Sequence, residues 1–118
     1  GSLPEWMVYD ALVRLGKRPG VDCTYQSNFE GGRVNRGGQV LDFDFSDPPD
    51  LAINVAGVYY HYGLGSDTLA RDRIAQVALA AQGVTLVVID EDDILRDVMF
   101  YVREALQYRD HSRQARGL

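Results

Sequence analysis

Two short apolar runs constrain this chain more than any other feature. Leu51 to Gly57 is almost entirely apolar, and Val84 to Ile89 is a continuous apolar run rich in β-branched residues. Runs of that kind read as strands buried on both faces, in the middle of a sheet covered by helices. Between them Ala70, Ile74, Val77, Ala78 and Ala81 recur at helical spacing and predict the buried face of a helix, with Ser66 or Asp67 as its cap and Gly83 as its stop. Strand, helix and strand in that order predict a parallel pair joined by a right-handed crossover.

The remaining elements fit around that pair. Pro4 and Glu5 open a first helix whose apolar face is Val8, Ala11, Leu12 and Leu15, and Gly16 with Pro19-Gly20 ends it. Val21 to Gln26 reads as a short strand. Gly31-Gly32 and Gly37-Gly38, around Arg33 and Arg36, read as a turn or mobile loop over residues 27–38. Gln39 to Phe45 alternates as a second strand, and it pairs as a hairpin with Leu51 to Gly57 across the Pro48-Pro49 turn. Asp90 to Asp93 suit a helix start. Ile94, Val98, Tyr101, Val102, Ala105 and Leu106 then give the last helix one apolar face. The expected class is α/β, in the order α-β-β-β-α-β-α, with a mixed sheet flanked by helices.

At 118 residues the chain has room for one domain with one core. Gly1-Ser2 is set aside as an expression scar, and the polar stretch 110–118 is expected to be a flexible tail. Composition that is 46% hydrophobic and 25% charged belongs to a globular chain rather than a disordered one. No apolar run reaches the roughly 18 residues that span a bilayer, and no basic-then-apolar segment precedes the first helix, so no membrane partner is expected. Cys23 is the single cysteine, which excludes an internal disulfide and a multi-cysteine zinc site and points to a reducing, intracellular (cytoplasmic) setting. A net charge of −5 argues against indiscriminate attraction to nucleic acid. Positive charge is carried almost wholly by arginine, which suits local bidentate phosphate contacts.

The order of elements and several local segments resemble the PD-(D/E)XK (restriction-endonuclease-like) nuclease superfamily, nearest its very-short-patch-repair and homing-endonuclease-like branch. Gly37-Gly38-Gln39-Val40-Leu41-Asp42-Phe43 is similar to the strand that places the family's metal-binding aspartate. Leu51-Ala52-Ile53-Asn54-Val55-Ala56-Gly57-Val58-Tyr59-Tyr60-His61 is similar to the next strand, where an acid, a spacer and a lysine or its substitute precede Gly-x-x-x-His. Asp72 to Gly83 and Val84 to Ile89 resemble the helix and strand that follow. Glu5 stands where many members carry a helical glutamate near the metal. The resemblance spans roughly residues 4–106.

The resemblance implies hydrolysis of DNA phosphodiesters by an endonuclease using Mg²⁺ or Mn²⁺, with Asp42 and Glu5 as metal ligands and His61 as general acid or base. The chemistry suits those residue types: a divalent cation polarises a phosphoryl oxygen and activates water, and magnesium prefers carboxylate oxygens. The chain departs from the family pattern at Asn54, in the acid position, and at Ala56, in the lysine position. Lys17 lies too far upstream to substitute. A catalytically inactive relative is therefore the alternative, a nuclease fold kept for DNA binding or as a structural or accessory protein, for instance one encoded by a phage. A catalytic domain this small cuts one strand at a time, so cutting both strands of a duplex implies a homodimer.

Each candidate has a plainer reading. The plainer role for Asp42 is a surface-facing strand acid, with Asp44, two residues on, as the register alternative. The plainer role for His61 is structural, beside Tyr59, Tyr60 and Tyr62. Glu5 is favoured at a helix start by the dipole alone. Arg33 and Arg36 grip phosphates or are merely solvated. Asp47 and Asp50 are read as turn residues, and Asp90 to Asp93 as helix-capping acids rather than a second metal site. Arg109, Arg113 and Arg116 form a basic tail.

Overall fold

The structure, a computed structural model, describes residues 3–25, 34–36, 38–57 and 66–117. Its elements are α1 (Leu3–Arg14), β1 (Cys23–Tyr25), β2 (Val34–Arg36), β3 (Gln39–Leu41), β4 (Phe43–Phe45), β5 (Leu51–Ala56), α2 (Ser66–Ala81), β6 (Thr85–Asp90) and α3 (Glu91–Leu106). The fold is α/β. A four-stranded mixed sheet runs in the order β1-β4-β5-β6, with β1/β4 and β4/β5 antiparallel and β5/β6 parallel. Along this sheet the elements follow the order α-β-β-β-α-β-α. The two-stranded ribbon β2–β3 is inserted between β1 and β4.

The period-two alternation of strand side chains divides the core into two layers. Phe43, Phe45, Leu51, Ile53, Val87 and Ile89 face Val8, Ala11 and Leu12 of α1 and Ile94, Val102 and Ala105 of α3. On the opposite face Ala52, Leu86 and Leu41 meet Ala75 and Leu79 of α2. Both faces of β5 and β6 are therefore covered, which is what their unbroken apolar runs require.

Helix ends follow local chemistry. After α1, the Gly16 N–H donates to the Val13 carbonyl (3.0 Å) and the Lys17 N–H to that of Leu12 (2.9 Å). The same pair of bonds closes α2 at Gly83 and Val84. Both glycines have φ above +80°, the left-handed turn that this cap needs and that other residues resist. Within α3, Asp97 leaves helical geometry (φ −159°, ψ 73°), and its carboxylate accepts the Phe100 N–H (3.2 Å). An aspartate here acts as an internal N-cap for the second half of the helix.

Four expectations change. Gln39 to Phe45 is two strands rather than one, broken at Asp42. Leu41 lies in the α2 layer and Phe43 in the α1/α3 layer, although a straight strand would put them on the same face. The glycine-flanked stretch contains a strand, β2. In α2, Ile74 and Val77 are 64% and 72% exposed, while Ala75 and Leu79 face the sheet. After α3, the polar residues expected to fray make defined hydrogen bonds: Asp110 accepts from Val88 and Arg113 donates to Asp90 on β6, Gln114 donates to Gln76 of α2, and Ser112 donates to Asp110. Among the described residues, no helix is long and apolar enough to cross a membrane.

Candidate functional site

Asp42 sits at the bend where β3 gives way to β4. A bending strand cannot continue its backbone ladder, and here side chains complete it. The Val55 N–H donates to Asp42 Oδ2 (2.8 Å), and the Asp42 N–H donates to Asn54 Oδ1 (2.8 Å). Each side chain thus satisfies a backbone donor of the opposing strand. Asn54 is buried, and so is Ala56, which lies opposite Asp90 in the β5/β6 register.

Glu5 lies in the first turn of α1, half-buried. The fields of Glu5 and Asp42 both reach Tyr25. Burial raises the pKa of the Tyr25 hydroxyl above its ordinary value, and the negative fields of Glu5 and Asp42 raise it further. Its ring packs on Phe43 (5.0 Å), Tyr9 (5.2 Å) and Trp6 (5.7 Å). Topology explains the meeting. Tyr25 ends β1 opposite Phe43, which begins β4, and this end of the sheet is also where β5 and β6 finish and α3 begins. In open α/β sheets, ligands bind outside the carboxyl ends of strands.

The sequence reading did not single out Glu91 as a neighbour of this motif. Its Oε2 lies 3.7 Å from where a side chain on Gly57 would begin, so the first turn of α3 overhangs the end of β5. The parallel Ala56/Asp90 register, legible from strand–helix–strand, was the signal that could have found it. Among the described residues, no three His, Cys, Asp or Glu side chains are grouped so as to hold a metal ion. The carboxylates Asp42 and Glu5 are of the type a hard cation prefers, while the Asn54 oxygen is turned to the backbone.

The other candidates are placed as follows. His61, Arg33 and the cluster Tyr59 to Tyr62 lie outside the described residues. Arg36 donates from Nη1 to Asp44 (2.8 Å) and from Nη2 to Asp50 (3.3 Å), and so ties the ribbon to β4 and the following turn. Gripping a phosphate would require it to exchange those partners. Asp47 pairs with Lys17 at 3.8 Å. Asp90 is the N-cap of α3, but its side chain makes no cap bond and instead accepts the Arg113 N–H (2.9 Å). Asp92 pairs with Arg113 and Asp93 with Arg96. Burial pushes the Cys23 thiol up to about 11, so it is inert as a nucleophile near neutral pH.

Comparison with known proteins adds no relative: no family model, no curated protein and no solved structure matches the chain.

Proposed function

We propose that the chain is a metal-dependent DNA endonuclease of the PD-(D/E)XK type with a degenerate centre. The observation that carries this reading is the fixed Asp42 carboxylate, held on the Val55 N–H at the end of the sheet where Glu5 also acts on Tyr25. The element order agrees with the order the resemblance implies. Asp42 and Glu5 would hold Mg²⁺ or Mn²⁺, which when bound supplies a Lewis acid for the phosphoryl oxygen. His61 is assigned the proton. The protein's own contribution is orientation: a carboxylate pinned by a backbone donor loses little freedom when a ligand arrives. The single buried cysteine fits an intracellular setting, and cleavage of both strands calls for two copies.

Incubation with supercoiled plasmid and Mg²⁺ or Mn²⁺ tests the reading. Nicking that disappears in Asp42→Ala is expected. Absence of nicking at high protein concentration refutes it, and nicking that survives in Asp42→Ala marks a contaminant.

A second reading has its own observation. The Asn54 oxygen serves the Asp42 N–H and Ala56 is a buried apolar residue, so both departures from the family pattern are accounted for by packing alone. A non-catalytic nuclease fold, used for DNA binding or as an accessory protein, would keep them. It requires salt-dependent DNA binding without cleavage.

A further inference from the structure

Among the described residues, the outer edge of β6 is closed by side chains rather than by a strand. β6 is last in the sheet order. The Thr85 N–H points inward, to the Asp50 carbonyl (2.9 Å), so by alternation the backbone groups of Leu86 and Val88 point outward. The Leu86 carbonyl accepts Gln76 Nε2 (3.0 Å), and the Val88 N–H donates to Asp110 Oδ2 (2.9 Å). Gln76 also donates to Asp110 (3.4 Å), so the two side chains form one unit.

That pattern has a specific meaning. In a parallel ladder, one residue of the neighbouring strand gives its N–H to the carbonyl before its opposite number and takes the N–H after it. Gln76 and Asp110 together do both, around Val87. They occupy the place of one residue of a fifth, parallel strand. The segment that brings Asp110 there is fastened by the Ser112 N–H on Asp110 Oδ1 (2.9 Å), the Arg113 N–H on Asp90 (2.9 Å), the Arg113 guanidinium on Asp92 (3.1 Å) and the Gln114 amide on Gln76.

We propose that Gln76 and Asp110 are an edge guard, and that they keep β6 from pairing with a second copy of the chain. This is independent of the catalytic reading. An open edge strand is a template for another chain. Freed, this edge is self-complementary: turned antiparallel about Val87, Leu86 of one copy faces Val88 of the other, and each presents an outward N–H and C=O. A groove of about 390 Å³, lined by Gln76, Ala80, Gly83, Val84, Thr85 and Leu86, leaves room beside it.

The test uses amide exchange and sedimentation on the whole chain. In the parent, Val88 should exchange together with Ser112 and Arg113 and ahead of Val87, because the guard opens without the sheet. Asp110→Ala should speed Val88 exchange about tenfold, the loss of one hydrogen bond, and add concentration-dependent self-association beyond the parent's own. Gln76→Glu, which sets a second carboxylate against Asp110 at a half-buried helix position, should do the same even where Asp110→Ala fails to fold. The proposal is overturned if Val88 exchanges only with Val87, if Gln76→Glu assembles as the parent does, or if Val88 exchange speeds up without added association.

Discussion

Placing an acid at position 54 separates the two readings of the site. Asn54→Asp keeps an oxygen for the Asp42 N–H but places a second carboxylate beside Asp42 at a residue only 8% exposed. Facing side chains across a ladder lie about 5 Å apart, and two like charges at that distance repel by about 3 kcal/mol at an effective dielectric of about 20. Asn54→Asp should therefore lose about 2–3 kcal/mol at neutral pH, read as a lower urea midpoint with an unchanged slope. The repulsion raises the folded pKa of one carboxyl, so the deficit is full at neutral pH and shrinks as acid protonates the pair. A divalent ion at a hundred times its Kd returns about 2.7 kcal/mol, enough to cancel it. Mg²⁺ or Mn²⁺ should thus restore Asn54→Asp and have much less effect on Asn54→Asp combined with Asp42→Ala. Full stability of Asn54→Asp without metal, or a deficit that metal leaves untouched, refutes a shared cation site.

Two further outcomes follow from the packing and from the end of α3. Phe43→Ala removes a fully buried ring that stacks on Tyr25 and should cost about 3–5 kcal/mol by chemical denaturation; a loss under about 1 kcal/mol would mean that the α1/α3 layer does not depend on it. Glu104 is held below the ordinary carboxylate range, first by its hydrogen bond to His111 and then by Arg109. A depressed folded pKa contributes stability above the unfolded value of 4.5 and loses it as pH falls through the folded value. Melting curves of the parent and Glu104→Gln should accordingly converge on acidification, and parallel curves would refute the assignment.

What was legible depended on how unambiguous each local pattern is. β5 and β6 were readable because a run such as Leu51–Ala56 has no polar face to misplace. α1 was readable because Val8, Ala11 and Leu12 keep helical spacing, even though Leu3, Trp6 and Val13 are apolar and exposed on the other side. α2 was misread because apolar residues surround it: Ile74 and Val77 also keep helical spacing, yet Ala75 and Leu79 are the ones that meet the sheet. The break at Asp42 was hidden because alternation cannot report a side chain substituting for a strand's backbone. Asp110 was hidden for the same reason. Its role is to accept the Val88 N–H across a long sequence separation, and a polar residue after a helix carries no local sign of that. Within the candidate site, Asp42 and Glu5 were named from the resemblance, whereas Glu91 depends on where the first turn of α3 lands over Gly57.

The bend at Asp42 also alters what evolution can record at this position. Because its carboxylate completes the hydrogen bonding of Val55, selection for folding alone would retain it. Persistence of an aspartate at 42 would then measure architecture, not turnover. Substitutions at 54 and 56, where packing asks for no charge, are where the history of the chemistry would be written.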